Sequence, residues 1–268
     1  MTTRIRCNGV ELAVDDSGGS GVAVVFSHGL LYSRRMWDAQ VPALRARFRC
    51  IAYDHRGQGE SEKPLQGMDM DTLAEDAAGL IGALGIAPVH FVGMSMGGFV
   101  GLRLAARRPE LVRSLTLVDT AAGPEPAKSL PRYRRLEWVA RWIGVRPVVG
   151  PVMAIMHGAS VLADPARAGD LRVWREHLMS LDRRAMPRAV EGVLQRESAV
   201  ALLGHIRCPT LVVVGEEDVA TVPARSEEIA AGIAGARLVR IPRAGHMSPI
   251  DAPEAVTATL RAFLEPQR

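Results

Sequence analysis

The sequence predicts an α/β fold: a mostly parallel sheet covered by helices and interrupted once by a helical insertion. Apolar runs rich in β-branched residues alternate with helix-patterned stretches over most of the chain, which is how a parallel sheet with helical crossovers reads. From about residue 121 to 203 the alternation stops, and a helical pattern broken by prolines and glycines replaces it. At one strand-to-helix junction stands Gly93-Met94-Ser95-Met96-Gly97, with the spacing of a sharp functional turn.

Composition sets the limits. A chain of 268 residues suits one large domain, or a core domain with a small one inserted. Hydrophobic residues make up 48% and charged ones 23%, the balance of a packed globule rather than a disordered or fibrous chain. The net charge of +4 is mild, and apart from Lys63 and Lys128 the cations are arginines. Basic and aromatic residues do not interleave as a nucleic-acid groove requires, so no nucleic-acid partner is expected. Cys7, Cys50 and Cys208 are odd in number and sit at or beside strand-like runs, where a free thiol acts as a small hydrophobe. That usage fits a reducing compartment. No leader-like apolar core follows Met1, and no stretch reaches the ~20 apolar residues that span a bilayer. A cytoplasmic location and no membrane partner are therefore expected, and a homodimer is compatible with the sequence.

In chain order, residues 3–7 and 10–15 read as an antiparallel pair turned at Asn8-Gly9. Val22 to Phe26 is a continuous apolar strand of the kind covered on both faces. A helix is expected from about Trp37 to Arg47, then a strand from Arg49 to Tyr53 and a glycine-bearing turn, Asp54 to Ser61. Residues 69–84 form an amphipathic helix ended by Gly85. The strand, turn and helix around Ser95 follow, then a strand from Ser114 to Val118. Strand 210–214, helix 223–233, strand 237–241 and a final helix 252–264 complete the pattern. The core is thus residues 1–120 and 204–268, with 121–203 inserted after the sixth strand. An insertion there lies over the C-terminal ends of the strands, where such sheets bind ligands.

The turn at Ser95 has a steric logic. A strand that turns at once into a helix brings together the positions two before and two after the serine. Glycines at 93 and 97 remove side chains that would collide there. The serine is forced into a backbone conformation that non-glycine residues seldom visit. In return its hydroxyl is held at the tip of the turn. The Met96 N–H and the helix dipole are then aimed at negative charge on a bound substrate.

A serine hydroxyl is a poor nucleophile at neutral pH and needs a base within reach, itself oriented by an acid. Of seven histidines, His246 stands out in the loop Ala244-Gly245-His246-Met247-Ser248-Pro249 between the last strand and last helix. His28 adjoins Gly29, where a backbone role is expected, and His55 lies in a turn whose Asp54 and Arg56 suggest an ion-pair network. His90 is on a strand, and His157, His177 and His205 lie in or near the insertion. For the acid, Leu211 to Val214 ends in Gly215-Glu216-Glu217-Asp218, and Asp218 is placed to turn back toward the histidine loop. Glu216 and Glu217 are alternatives, as acid or as solvated charges, and Asp119 is the runner-up. A second oxyanion donor is assigned to the Leu30 N–H, because Gly29 lets the backbone turn there; losing one such donor typically costs ~3 kcal/mol.

The segments Ser27-His28-Gly29, Asp54 to Ser61, Gly93 to Gly98, Gly215 to Asp218 and Gly245-His246 together resemble the α/β-hydrolase superfamily, over about residues 10 to 264. The order Ser95, Asp218, His246 is also that of its triad. The resemblance implies a sheet of the eight-stranded type, with the insertion as its variable cap. The tail, Pro209 to Gly215 and Ile241 to His246, is similar to bacterial esterases and enol-lactonases of the 3-oxoadipate type. Haloalkane dehalogenases and epoxide hydrolases carry aspartate where this chain has Ser95, which disfavours both. Carbon–carbon hydrolases of meta-cleavage pathways usually have asparagine in place of Met94. Leu30-Leu31-Tyr32-Ser33 lacks the glycine run of lipases that take bulky esters. The expectation is a serine hydrolase that cleaves a small-molecule carboxylic ester or lactone through an acyl-enzyme, with no cofactor and no metal. Carbon–carbon or amide hydrolysis on the same triad, and a slow-turnover receptor or signalling role, are the alternatives.

Within the insertion, Arg132 to Trp142 reads as an amphipathic helix with Leu136, Trp138 or Trp142 against the core and its arginines in water. An arginine facing a substrate carboxylate is one alternative. A helix lying on a membrane is another, disfavoured by the short apolar face. Met153, Met156, Met179 and Met186 add soft apolar surface, which points to a small to medium, largely apolar substrate.

Overall fold

The computed structural model describes residues 2–267. One sheet contains β1 (Thr2–Cys7), β2 (Val10–Asp16), β3 (Ala23–Ser27), β4 (Arg49–Tyr53), β5 (Val89–Met94), β6 (Val112–Val118), β7 (Thr210–Gly215) and β8 (Arg237–Ile241). Their spatial order is β1-β2-β4-β3-β5-β6-β7-β8. The pairs β1–β2 and β2–β4 are antiparallel and the others parallel. The helices are α1 (Gln40–Leu44), α2 (Met70–Leu84), α3 (Met96–Arg107), α4 (Leu130–Trp142), α5 (Arg146–Met156), α6 (Ala159–Leu162), α7 (Ala168–Met179), α8 (Met186–Leu194), α9 (Pro223–Gly232), α10 (Ser248–Asp251) and α11 (Pro253–Leu264).

Side-chain character explains where each strand sits. β3, β5 and β7 are buried at every position and lie inside the sheet, whereas β1 and β8, exposed or half-exposed over most of their length, are its edges. Successive side chains point to opposite faces. Val24 and Phe26 therefore join Trp37, Phe48 and Leu260 on one face, while Val25 and Phe91 join Leu73 and Phe99 on the other. α2 begins where the Asp69 carboxylate accepts from the Thr72 N–H at 2.8 Å.

The helix expected from Trp37 to Arg47 is shorter, with a 3-10 turn over Arg34–Trp37 preceding α1. Pro42 is the cause. It lacks an N–H and its ring crowds a helical carbonyl four residues back, which favours a place in the first turn, and α1 starts at Gln40.

β3 has β4 on one side and β5 on the other, so the winding of the sheet reverses there and leaves a crevice at the C-terminal ends of β3 and β5. Ser27 and Ser95 leave the sheet at this crevice. Between β6 and β7 the chain forms α4 to α8, a cap without strands. Its two ends meet: the Ala199 N–H donates to the Ala122 carbonyl at 2.7 Å and Arg196 Nε to the Gly123 carbonyl at 3.2 Å. Arg196 also pairs with Glu125 at 3.0 Å and lies 4.3 Å over the Phe99 ring.

On α4 the expectation is met through Leu136 and not through either tryptophan. Leu136 faces inward and the arginines are exposed, but Trp138 and Trp142 are 55% and 63% exposed. The inward stripe is Tyr133, Leu136 and Ala140, spaced three or four residues apart; at 3.6 residues per turn Trp138 points about 200° away from Leu136. Among the described residues no helix is long and apolar enough to cross a membrane.

Candidate active site

β5 ends at Met94 and α3 begins at Met96, which leaves Ser95 alone in the turn with φ 50° and ψ −110°. Its Cβ makes that geometry unfavourable, and the surroundings over-determine it. The Ser95 N–H donates to the Val118 carbonyl at 2.9 Å, and the Thr120 hydroxyl donates to the Ser95 carbonyl at 2.8 Å. A Cβ on Gly93 would strike the Gly97 carbonyl, in line with the collision argument. One on Gly97 would strike the Ser27 carbonyl instead, so that glycine makes room for the neighbouring strand β3.

Ser95, His246 and Asp218 come together in this turn. His246 Nε2 is 2.9 Å from Ser95 Oγ, and His246 Nδ1 is 2.9 Å from Asp218 Oδ2. Asp218 is itself held: Oδ1 accepts the N–H groups of Ala220 at 2.8 Å and Thr221 at 2.9 Å, and Oδ2 accepts the Thr221 hydroxyl at 2.8 Å. Burial pushes the Asp218 carboxyl up, but the His246 charge and these hydrogen bonds outweigh it, and its pKa lies below the usual value. Burial pulls His246 down, yet the charge and hydrogen bond of Asp218 raise it above the ordinary imidazole value. Thr221 was not singled out from the sequence, although a hydroxyl three residues after a loop carboxylate is a common turn-closing signal.

The other carboxylates are committed elsewhere. Asp119 Oδ1 accepts the Gly215 N–H at 2.8 Å, and its Oδ2 accepts the Ser248 N–H at 3.0 Å and hydroxyl at 2.5 Å. It ties the end of β7 to the histidine loop, and burial, reinforced by the Asp218 charge, holds its pKa well above the carboxylate range. Glu217 accepts the Ser160 N–H at 2.8 Å, and Glu216 is exposed. Asp251 was not anticipated. Its Oδ2 accepts the N–H groups of Gly245 at 2.8 Å and Gly158 at 2.9 Å, and its Oδ1 lies 2.6 Å from His157 Nδ1. It thereby clamps the histidine loop to the cap.

The loop after β3 is built on neutral histidines. His28 Nδ1 donates to the Gly29 carbonyl at 2.7 Å, its Nε2 accepts the His55 N–H at 3.0 Å, and His55 Nε2 is 2.9 Å from Ser27 Oγ. Burial lowers both pKa values, that of His55 far below the ordinary one. The turn carries the ion pairs expected of it: Asp54 pairs with Arg34 and Arg56 with Asp76, while His55 stands outside both pairs. Leu31, with φ 67°, donates its N–H to Gln58 Oε1 at 2.9 Å and accepts from His177 Nε2 at 3.1 Å. Core and cap thus grip the residue beside Leu30. Met96 opens α3, where an N–H has no intrahelical acceptor.

A cavity open at its mouth covers Ser95 and His246 and is also lined by Leu30. Its walls are apolar, with Phe99 from the core and Leu136, Val149, Val190 and Leu194 from the cap. Met156 and Met186 line it, whereas Met153 packs among the cap helices and Met179 is largely exposed. None of the exposed arginines of α4 lines the cavity. Arg196 does, with its charge closed by Glu125.

A family model of the α/β hydrolase fold matches residues 22–253. A thermophilic esterase from Thermogutta terrifontis superposes with a TM-score of 0.91 at 30% identity, covering 100% of this chain and 99% of that one. The enol-lactonase from Burkholderia xenovorans LB400 superposes with a TM-score of 0.90 at 32% identity, covering 98% of this chain and 100% of that one. A Mycobacterium tuberculosis protein provisionally named non-heme bromoperoxidase BpoC is 33% identical over 261 residues, 95% of this chain and 98% of that protein. These relatives share one architecture and differ in the activity their names give. The chain belongs to the α/β hydrolase fold family and is a hydrolase.

Proposed function

We propose that this hydrolase cleaves carboxylic esters or lactones of a small to medium, largely apolar molecule through an acyl-enzyme. The observation that carries this reading is the unbroken hydrogen-bonded chain from Asp218 through His246 to Ser95, opening into an apolar cavity. Ser95 Oγ attacks the carbonyl carbon while His246 Nε2 takes its proton. Asp218 holds Nδ1–H and stabilises the imidazolium. The N–H groups of Leu30 and Met96 receive the oxyanion. His246 then protonates the leaving alcohol, and water activated by the same imidazole releases the acid from Ser95. These steps use no cofactor and no metal. Residues 1–120 and 204–268 hold the chemistry, and 121–203 select the substrate. The esterase and the enol-lactonase among the relatives favour cleavage at an ester carbonyl. Free Cys7, Cys50 and Cys208 fit work in the cytoplasm.

Fluorophosphonate labelling with intact-mass detection, run beside turnover of short p-nitrophenyl esters, tests the proposal. The wild type is expected to gain one adduct and to turn over repeatedly. Ser95→Ala is expected to gain none and to lose roughly 10⁴-fold in rate or more. Hydrolysis that survives this change sinks the assignment. A single adduct without repeated turnover on any ester indicates a slow-turnover receptor, and preference for ring-fission diketones or aminoacyl anilides moves the scissile bond to C–C or amide.

A further inference from the structure

The outward face of α4 has no role in the chemistry above, and its composition is unusual for a surface helix. Trp138, Trp142 and the adjoining Ile143 are 55%, 63% and 62% exposed. Arg134, Arg135 and Arg141 are exposed on the same side, each three or four residues from Trp138. Large apolar side chains on a monomer surface are normally scattered; when clustered and rimmed by cations they mark an interaction site.

We infer that this face docks on an anionic lipid surface. Charge is the first argument. Residues 130–146 carry five arginines against one glutamate, an excess equal to the +4 of the whole chain. That glutamate, Glu137, lines the cavity; Arg134 pairs with Glu191 at 3.6 Å, and the outward face stays cationic through Arg135 and Arg141. Side-chain chemistry is the second. Tryptophan joins an apolar ring to a polar N–H, and arginine joins an apolar stem to a charge, so both settle at the headgroup level of a bilayer. The Arg141 guanidinium lies 5.0 Å over the Trp142 ring, which keeps charge and ring at one depth. At 13 residues α4 is too short to cross a bilayer and lies along the surface. The sequence disfavoured a membrane role for this helix because its apolar face is short; in the folded protein both of its tryptophans lie on the surface. Because Tyr133, Leu136 and Ala140 on the inward face of α4 line the cavity, docking brings the cavity to within about one helix diameter, ~10 Å, of the lipid.

The test does not depend on the proposed chemistry. Full-length protein is mixed with vesicles of phosphatidylcholine alone, or with 30% phosphatidylglycerol, at low and high salt. Co-sedimentation and tryptophan emission are then read. The expected result is binding with a blue shift on the anionic vesicles only, weakened about tenfold or more by high salt. Trp138→Ser with Trp142→Ser, and Arg134→Gln with Arg135→Gln, should each weaken binding about tenfold while leaving p-nitrophenyl acetate hydrolysis unchanged. Arg113→Gln with Arg237→Gln, at the opposite end of the sheet, should leave binding intact and so exclude general basicity as the cause. Absence of wild-type binding overturns the inference even if a variant misfolds. So does equal loss in the control pair. A wild-type dimer that the tryptophan changes dissociate, without vesicle binding, would make the face a contact between copies and equally overturn it.

Discussion

The triad loops and the cap that covers them are built in contrasting ways. Around Ser95, position is set by short polar contacts that converge from distant segments: Asp119 on Gly215 and Ser248, Asp251 on Gly245 and Gly158, Thr221 on Asp218. In the cap, the cavity-facing side chains Leu136, Val149, Val190 and Leu194 fill space without directional bonds. Directional contacts tolerate little change and define one geometry, whereas apolar walls can be reshaped residue by residue. Under the proposed function, that contrast amounts to a fixed chemistry beneath an adjustable selector.

Substitutions can break or sharpen that contrast. The largest effect is expected from Asp218→Asn, which should lower kcat/KM by about 10³-fold or more, while Asp119→Asn, which leaves the imidazole contact intact, should lower it about tenfold or less. A larger loss from Asp119→Asn would exchange their roles. Arg196→Met strands Glu125 in the cap neck and should lower unfolding stability by about 3–5 kcal/mol in denaturant melts; no change would mean that the neck is held by apolar packing as well. Val190→Trp should narrow the cavity and reduce kcat/KM for an octanoyl ester relative to the acetyl ester by about tenfold to a hundredfold. If both esters suffer alike, the cap is not an independent selector. The smallest effect is a shift in pH dependence. Burial lowers the His246 pKa and Asp218 raises it by more, so kcat/KM should fall with decreasing pH through a midpoint above ~6.5, as the base becomes protonated. In Asp218→Asn burial is left unopposed by that charge, and the residual activity should titrate at a lower pH. A midpoint unmoved by the substitution would remove Asp218 as the cause.

The same contrast explains what could be read before the structure. The strands, α2, the turn at Ser95 and the loops bearing Asp218 and His246 follow from local patterns: apolar runs, glycine spacing and residues that follow strand ends. The shortened α1 was also legible, since Pro42 stands in plain view. Contacts made only when distant segments meet were not. Nothing near Arg196 announces Glu125, some 70 residues earlier, and nothing near His177 announces the Leu31 carbonyl. Asp251 belongs to the same class. For Trp138 and Trp142 the difficulty is different: hydrophobicity alone puts a tryptophan inside, but the stripe of Tyr133, Leu136 and Ala140 already fills the buried face of α4.

The cap neck has a consequence for the history of such a chain. Ala122 and Ala199 are hydrogen-bonded neighbours, so about 76 residues leave the core and return at nearly one point, between strands that pair with each other. Joining two ends that already touch adds little to the conformational entropy of closing the loop, and that entropy grows only logarithmically with the length between them. The core can therefore accept a longer or shorter segment at this doorway, provided the cap keeps its contacts from His157 and Gly158 to Asp251 and from His177 to Leu31. Grafting a foreign cap between Ala122 and Ala199 is the corresponding engineering move, with selectivity travelling along with the transplanted piece.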